Sequence, residues 1–179
     1  MDTSFAVTSV PLPPGSRATT FYRSPNLADA FAVRLPDGAT RDPEALARFM
    51  LTNQAPWVAA LLWLRDRIVS VFGLKTSSQL QAEHGQSSSV RRIAFFRIYA
   101  QDANEILLGE DDHHLDFRLT VRCEPIGGAM HVVATTVVQC HNTLGRLYLL
   151  VIAPFHRLVV RSALQRAARA GWPTPKATP

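Results

Sequence analysis

Four acids and two histidines crowd into one short run, Gly109-Glu110-Asp111-Asp112-His113-His114-Leu115-Asp116-Phe117-Arg118. Imidazole beside carboxylate can hold a divalent metal, move protons, hydrogen-bond a ligand's polar group, or form a charged turn. The spacing matches no metalloenzyme signature such as His-Glu-x-x-His. There is no phosphate loop, dinucleotide fingerprint, nucleophile elbow or Cys-x-x-Cys. The run therefore names no reaction: no residue is assigned a catalytic role, and neither a metal site nor a cofactor is expected.

The elements around the run decide which of its side chains can meet. Gly127-Gly128 reads as a tight hairpin turn joining a strand at His114 to Glu124 with one at Met130 to His141. A connection centred on the two glycines pairs positions whose numbers sum to 255. Leu115 then faces Cys140, Phe117 faces Val138 and Val121 faces Ala134, all on an apolar face. The other face pairs His114 with His141, Asp116 with Gln139 and Glu124 with His131. A slip of one residue would set apolar residues against charged ones, which argues for this register. His114, Asp116, Gln139 and His141 become a candidate polar rim. His156, roughly 20 Å along the following helix at about 1.5 Å per residue, is not expected to join them. Cys123 and Cys140 lie eight pairs apart, roughly 26 Å at about 3.3 Å per residue, too far for a disulfide. Two reduced, buried thiols suit a cytoplasmic protein.

Upstream, Arg92 to Gln101 and Glu105 to Gly109 read as two further strands. Asp102-Ala103-Asn104 between them suits a three-residue hairpin with Asn104 left-handed. Phe31 to Leu35 reads as a fifth, short strand. Asp42-Pro43 opens a helix, with Asp as N-cap and Pro at the first position. A second helix is expected from Pro56 to Gly73, then a polar loop over 76–89. Residues 1–20 read as an extended segment, 21–171 as one domain and 172–179 as a flexible tail.

Asn142 caps a last helix that runs to about Ala170, which Pro154 should kink. Leu144, Leu147, Tyr148, Val151, Phe155, Leu158 and Val159 make its expected inner stripe, with Leu149, Leu150 and Val160 opposite. Its first half is apolar nearly all round. That implies cover on two sides, or contact with a membrane surface or a second copy.

The chain has 179 residues, with 18% charged and 47% hydrophobic, which suits one ordinary globular domain. No secretory signal is apparent at Met1 to Val10, and no apolar run reaches the roughly 18 residues a membrane span needs. The net charge of +5 is uneven. From Leu144 to the end there are six basic residues and no acid, while the remaining 13 basic and 14 acidic residues nearly cancel. Basic residues complement a helix C-terminus and suit an anionic surface. Without interleaved aromatics they do not suit nucleic acid.

Several motifs carry a family resemblance. Leu107 to Asp112, His114 to Arg118, Asn142-Thr143-Leu144-Gly145-Arg146 and Pro154-Phe155-His156-Arg157 resemble the hallmark of bacterial proteins grouped as domain of unknown function 2867. Pro56-Trp57 and the Leu64-Arg65 to Phe72-Gly73-Leu74 segment fit as well. That family is distantly similar to the helix-grip proteins, START-like lipid binders and polyketide cyclases, although the sequence displays fewer strands than their seven or so. Pattern and resemblance imply an α+β fold: an antiparallel sheet wrapped around the long C-terminal helix, with two shorter helices before the main strands. Such a grip implies a cavity lined by Phe96, Ile98, Leu108, Phe117, Val121, Val138, Tyr148, Val151 and Phe155. The expected function is binding of a small hydrophobic or amphipathic ligand. The alternatives are an enzyme using His114 or His141 as general acid or base, or a membrane or protein-interaction role through the last helix.

Overall fold

The computed structural model describes residues 5–61 and 91–175. Ten elements follow in order: β1 (Thr8–Ser9), α1 (Arg17–Phe21), β2 (Leu27–Arg34), α2 (Pro43–Thr52), β3 (Arg92–Ile93), β4 (Phe96–Gln101), β5 (Glu105–Asp111), β6 (Leu115–Ile126), β7 (Ala129–Cys140) and α3 (Thr143–Ala170). Residues 56–61 are also helical. The rest of the helix expected to reach Gly73, and the polar stretch 76–89, lie outside the described residues. The strands form one antiparallel sheet in the order β1-β2-β7-β6-β5-β4-β3. The fold is α+β, a seven-stranded sheet packed against a long C-terminal helix.

The β6–β7 ladder has the register given by the glycine turn, from Leu115 opposite Cys140 to Ile126 opposite Ala129. Gly127 and Gly128 both have positive φ, 57° and 80°, as a two-residue turn matched to the strand twist requires. Both cysteines are free. Cys140 is buried, whereas Cys123 is only partly so, and burial pushes its thiol up to about 11. The helix starts also hold. The Asp42 carboxylate accepts from the Glu44 and Ala45 amides, and Asn142 Oδ1 accepts from the Gly145 amide at 2.8 Å.

Four expectations about turns, strands and the two terminal segments need correction. Arg92 to Gln101 is two strands, because Ala94 turns the chain with φ 53°. Alanine and phenylalanine are poor turn residues, so composition hid this hairpin. Asn104 is not left-handed, since Ala94 is the non-glycine residue with positive φ among those described. Instead Asp102 Oδ1 accepts from the amides of Asn104 and Glu105 and closes the turn itself. The N-terminal segment is not merely extended, since it supplies an edge strand and α1. Trp172, assigned to the tail, is buried in the main core against Phe49. An indole repays the ordering of its backbone by the apolar area it removes from water.

α3 is rotated by about one residue, or about 100°, from the expected orientation. Gly145, Leu149, Ala163, Leu164 and Ala167 are buried, whereas Leu147, Leu150, Val151 and Leu158 are exposed. An all-round apolar helix carries no amphipathic signal to fix its rotation. Close contact fixes it instead: a Cβ on Gly145 would overlap the backbone carbonyl of His114. By length and composition α3 is also long and apolar enough to cross a membrane, with mean hydropathy 1.5 over an 18-residue window. That corrects the expectation from uninterrupted apolar runs, because averaging tolerates interspersed arginines.

The face of the sheet toward α3 divides in two. Val33, Leu108, Val121, Val132 and Ala134 join Leu46, Met50, Ala163, Leu164 and Ala167 in a filled core. Toward Leu115, Val138 and Leu149 the packing opens into a cavity. The opposite face is not wet either. α1 covers part of it, packing Ala18 and Tyr22 over Leu107, Val137 and Tyr99.

Candidate functional site

The cavity lies between the sheet and α3, has a volume of about 330 Å³ and is mostly apolar. That volume is at the lower end of the roughly 300–1,000 Å³ of small-molecule sites. Phe96, Phe117 and Val138 line it from the sheet, Tyr148, Leu149, Ile152 and Phe155 from α3, and Met50 and Leu51 from α2. Of the residues expected to line it, Phe96, Phe117, Val138, Tyr148 and Phe155 do so. Leu108 and Val121 belong to the filled core, with Ile98 packed against it. Val151 is 53% exposed on the far side of α3, because of the helix rotation.

The acid-histidine run contributes in an order set by strand alternation. On β5, Glu110 faces the cavity and Asp111 the opposite side. Glu110 is held by Arg92 Nη1 at 3.0 Å. His114 lies in the turn before β6, so strand alternation does not govern it. It turns inward: its side chain is 2% exposed, Nδ1 is 3.3 Å from Asp112 Oδ2, and its ring stands edge-on to Tyr148 with centroids 5.3 Å apart.

The expected polar rim is therefore divided. The His141 amide donates to the His114 carbonyl at 3.0 Å, so the backbones are neighbours as the register requires. Their side chains have different partners. His141 Nε2 is 3.0 Å from Asp116 Oδ2 on the more exposed side, and Gln139 donates to Asn26 Oδ1 at 3.4 Å. Of the four rim residues, only His114 lines the cavity. Two lining positions outside the expected set stand out. Phe95 comes from the β3–β4 turn, and His156 meets Asp29 Oδ1 at 3.2 Å. Asp29 follows Leu27 and precedes Phe31 at strand spacing, so a β2 begun at Leu27 would have placed it under α3.

Asp111 and Arg118 have a structural part in the same run. Arg118 is 3% exposed and crosses the sheet's opposite face. Its Nη2 is 2.7 Å from Asp111 Oδ1, and its Nη1 donates to the Phe117 carbonyl at 2.8 Å. The guanidinium carbon sits 3.9 Å from the Tyr99 ring centroid and 4.3 Å from that of Phe21. Gly109 is small because Arg118 passes beside it; a Cβ there would overlap the Phe117 carbonyl and crowd the arginine. Burial pushes Asp111's carboxyl up, but hydrogen bonds from Tyr99 and Arg118 outweigh this and hold it below its ordinary value. Burial raises the Tyr22 phenol to about 12 and raises that of Tyr99 as well.

The two hallmark runs meet at one end of the cavity. Asn142 Nδ2 donates to the His113 carbonyl at 3.2 Å, and Gly145 abuts His114. The helix start thus packs against the turn that carries Asp112 and His114. Among the described residues, no three or more His, Cys, Asp or Glu side chains group in a way that could hold a metal ion.

An α+β domain with an open apolar pocket between its sheet and C-terminal helix, and an acid-imidazole pair at the β5–β6 turn, is the class that fold and site define. The family model described as "Protein of unknown function (DUF2867)" matches residues 21–163. That is more than half of the chain, and the chain belongs to this family. No curated protein and no solved structure matches it.

Proposed function

We propose that the chain is a binding module for a small hydrophobic or amphipathic molecule held between the sheet and α3. The observation that carries this reading is the cavity of about 330 Å³, mostly apolar but carrying Glu110, Asp112 and His114. An anionic headgroup at that end would meet two carboxylates, whereas a hydroxyl or ammonium group could donate to them. The ligand so described has an apolar body and a neutral or cationic donor group. The seven-strand count and the lie of the sheet against a long C-terminal helix support a helix-grip-like reading of the fold.

Native mass spectrometry of the purified protein tests this directly. The expected result is a fraction carrying a small-molecule adduct that denaturation releases. Only the bare chain mass, even after incubation with neutral apolar compounds, would count against it.

One observation favours a second use of the same cavity. Asp112 beside His114 Nδ1 at 3.3 Å is the arrangement that orients an imidazole as a general base. A recovered ligand slowly converted by the native protein, but not by His114→Gln, would move the chain from carrier to enzyme.

A further inference from the structure

We propose that the outward side of α3 is a docking surface for an anionic lipid bilayer, on which the helix lies flat. Leu147, Leu150, Val151 and Leu158 are 60%, 75%, 53% and 57% exposed, and Phe155 is 43% exposed. With Pro154, also exposed, they recur at spacings of three and four and so form one stripe along the helix. An exposed apolar stripe of this length is more than scattered surface hydrophobics require.

Charge identifies the occupant. Arg146, Arg157 and Arg161 are exposed, and spacings of eleven and four set them in one row beside the stripe; Arg157 also reaches Asp29 Oδ2 at 3.5 Å and Arg161 donates to the Val7 carbonyl at 3.1 Å. Thr143–Ala170 contains no acidic residue. A second copy packed along this face would bring arginines toward arginines with no carboxylate on either helix to pair them, and with the neighbouring Asp29 of β2 already held by His156 and Arg157 of its own chain. A surface of anionic lipid headgroups supplies the missing charge, and its acyl boundary takes the leucines.

The geometry also requires the helix to lie on the bilayer rather than cross it. Its other side is committed: Gly145 and Leu149 pack at the cavity end, and Ala163, Leu164 and Ala167 lie in the main core. A spanning orientation would dismantle that core, whereas a flat one uses only side chains that are already exposed.

The test is flotation of the full chain with vesicles, comparing pure phosphatidylcholine with a mixture containing about one-third phosphatidylglycerol. The native chain is expected to float with the anionic vesicles only, and to be released by salt. Leu150→Ser and Leu158→Ser should each weaken partition about tenfold, and Arg146→Gln about fivefold. All three positions are exposed, so melting temperatures should match the native chain. No flotation with anionic vesicles, or flotation indifferent to these substitutions, would overturn the proposal. So would a concentration-dependent dimer that Leu150→Ser abolishes, which would mean that a second copy covers the stripe.

Discussion

Gly145→Ala should destabilise the protein, although alanine is the better helix former. At an ordinary interior helical position the exchange gains about 1 kcal/mol. Here the added Cβ would overlap the His114 carbonyl, a backbone group that cannot swing aside. That oxygen also accepts from the His141 amide at 3.0 Å, so displacing it weakens the end of the β6–β7 ladder. Overpacking of this kind costs roughly 1–3 kcal/mol, and the backbone partner puts this site toward the upper figure. The net loss is then about 1–2 kcal/mol, or roughly 2–8 °C in Tm for a chain of this size. Thermal and urea melts measure it, with Leu150→Ala, at a 75% exposed position, as a control expected to stay within about 0.5 kcal/mol. A Gly145→Ala protein as stable as the native one, or more so, would mean that the helix does not rest on the His114 turn.

Other predictions concern the groups around the site. Arg118→Ala should cost roughly 2–4 kcal/mol, from lost aromatic contact and charge-assisted hydrogen bonds, and Arg118→Lys should not restore it, because only a planar guanidinium fits between the rings; chemical denaturation reads both. Asp111 is held below its ordinary value, as is Asp102 by the amides of Asn104 and Glu105 and then by Arg17. Depressed carboxyls contribute stability that is complete above about pH 4 and is lost as pH falls through their folded values. Asp111→Asn should therefore lower stability at neutral pH and flatten its acid limb, and an unchanged limb would refute this. Ala94→Gly should raise stability by up to about 1 kcal/mol, since glycine adopts the positive φ without the side-chain clash, and a fall in Tm would contradict the turn geometry.

Much of the frame is legible in the sequence. The β6–β7 register follows from two glycines and one apolar face, because a one-residue slip inverts every side chain. Asp42-Pro43 and Asn142 mark helix starts through the hydrogen bonds their side chains accept. What stayed hidden depended on tertiary contact. Strands β1 and β3 are two residues each, too short for alternation to register. The rotation of α3 is set by where Gly145 meets a carbonyl, which no periodicity records. Pairing the His114 side chain with His141 extends strand alternation one residue into a turn, where it does not apply. The partner of His114, Asp112, stands two residues before it in the same run, but spacing does not show which acid of a turn meets the imidazole.

The most direct measurement is titration of the protein with a neutral apolar fluorophore such as N-phenyl-1-naphthylamine, beside the variant Val138→Trp. Val138 is 6% exposed and lines the cavity, so an indole there occupies the space a ligand needs. The account predicts saturable one-site binding with blue-shifted emission for the native chain, and loss of that binding in the variant at an unchanged fold. Binding of equal strength in both, or none in the native chain, would contradict a ligand cavity between sheet and helix.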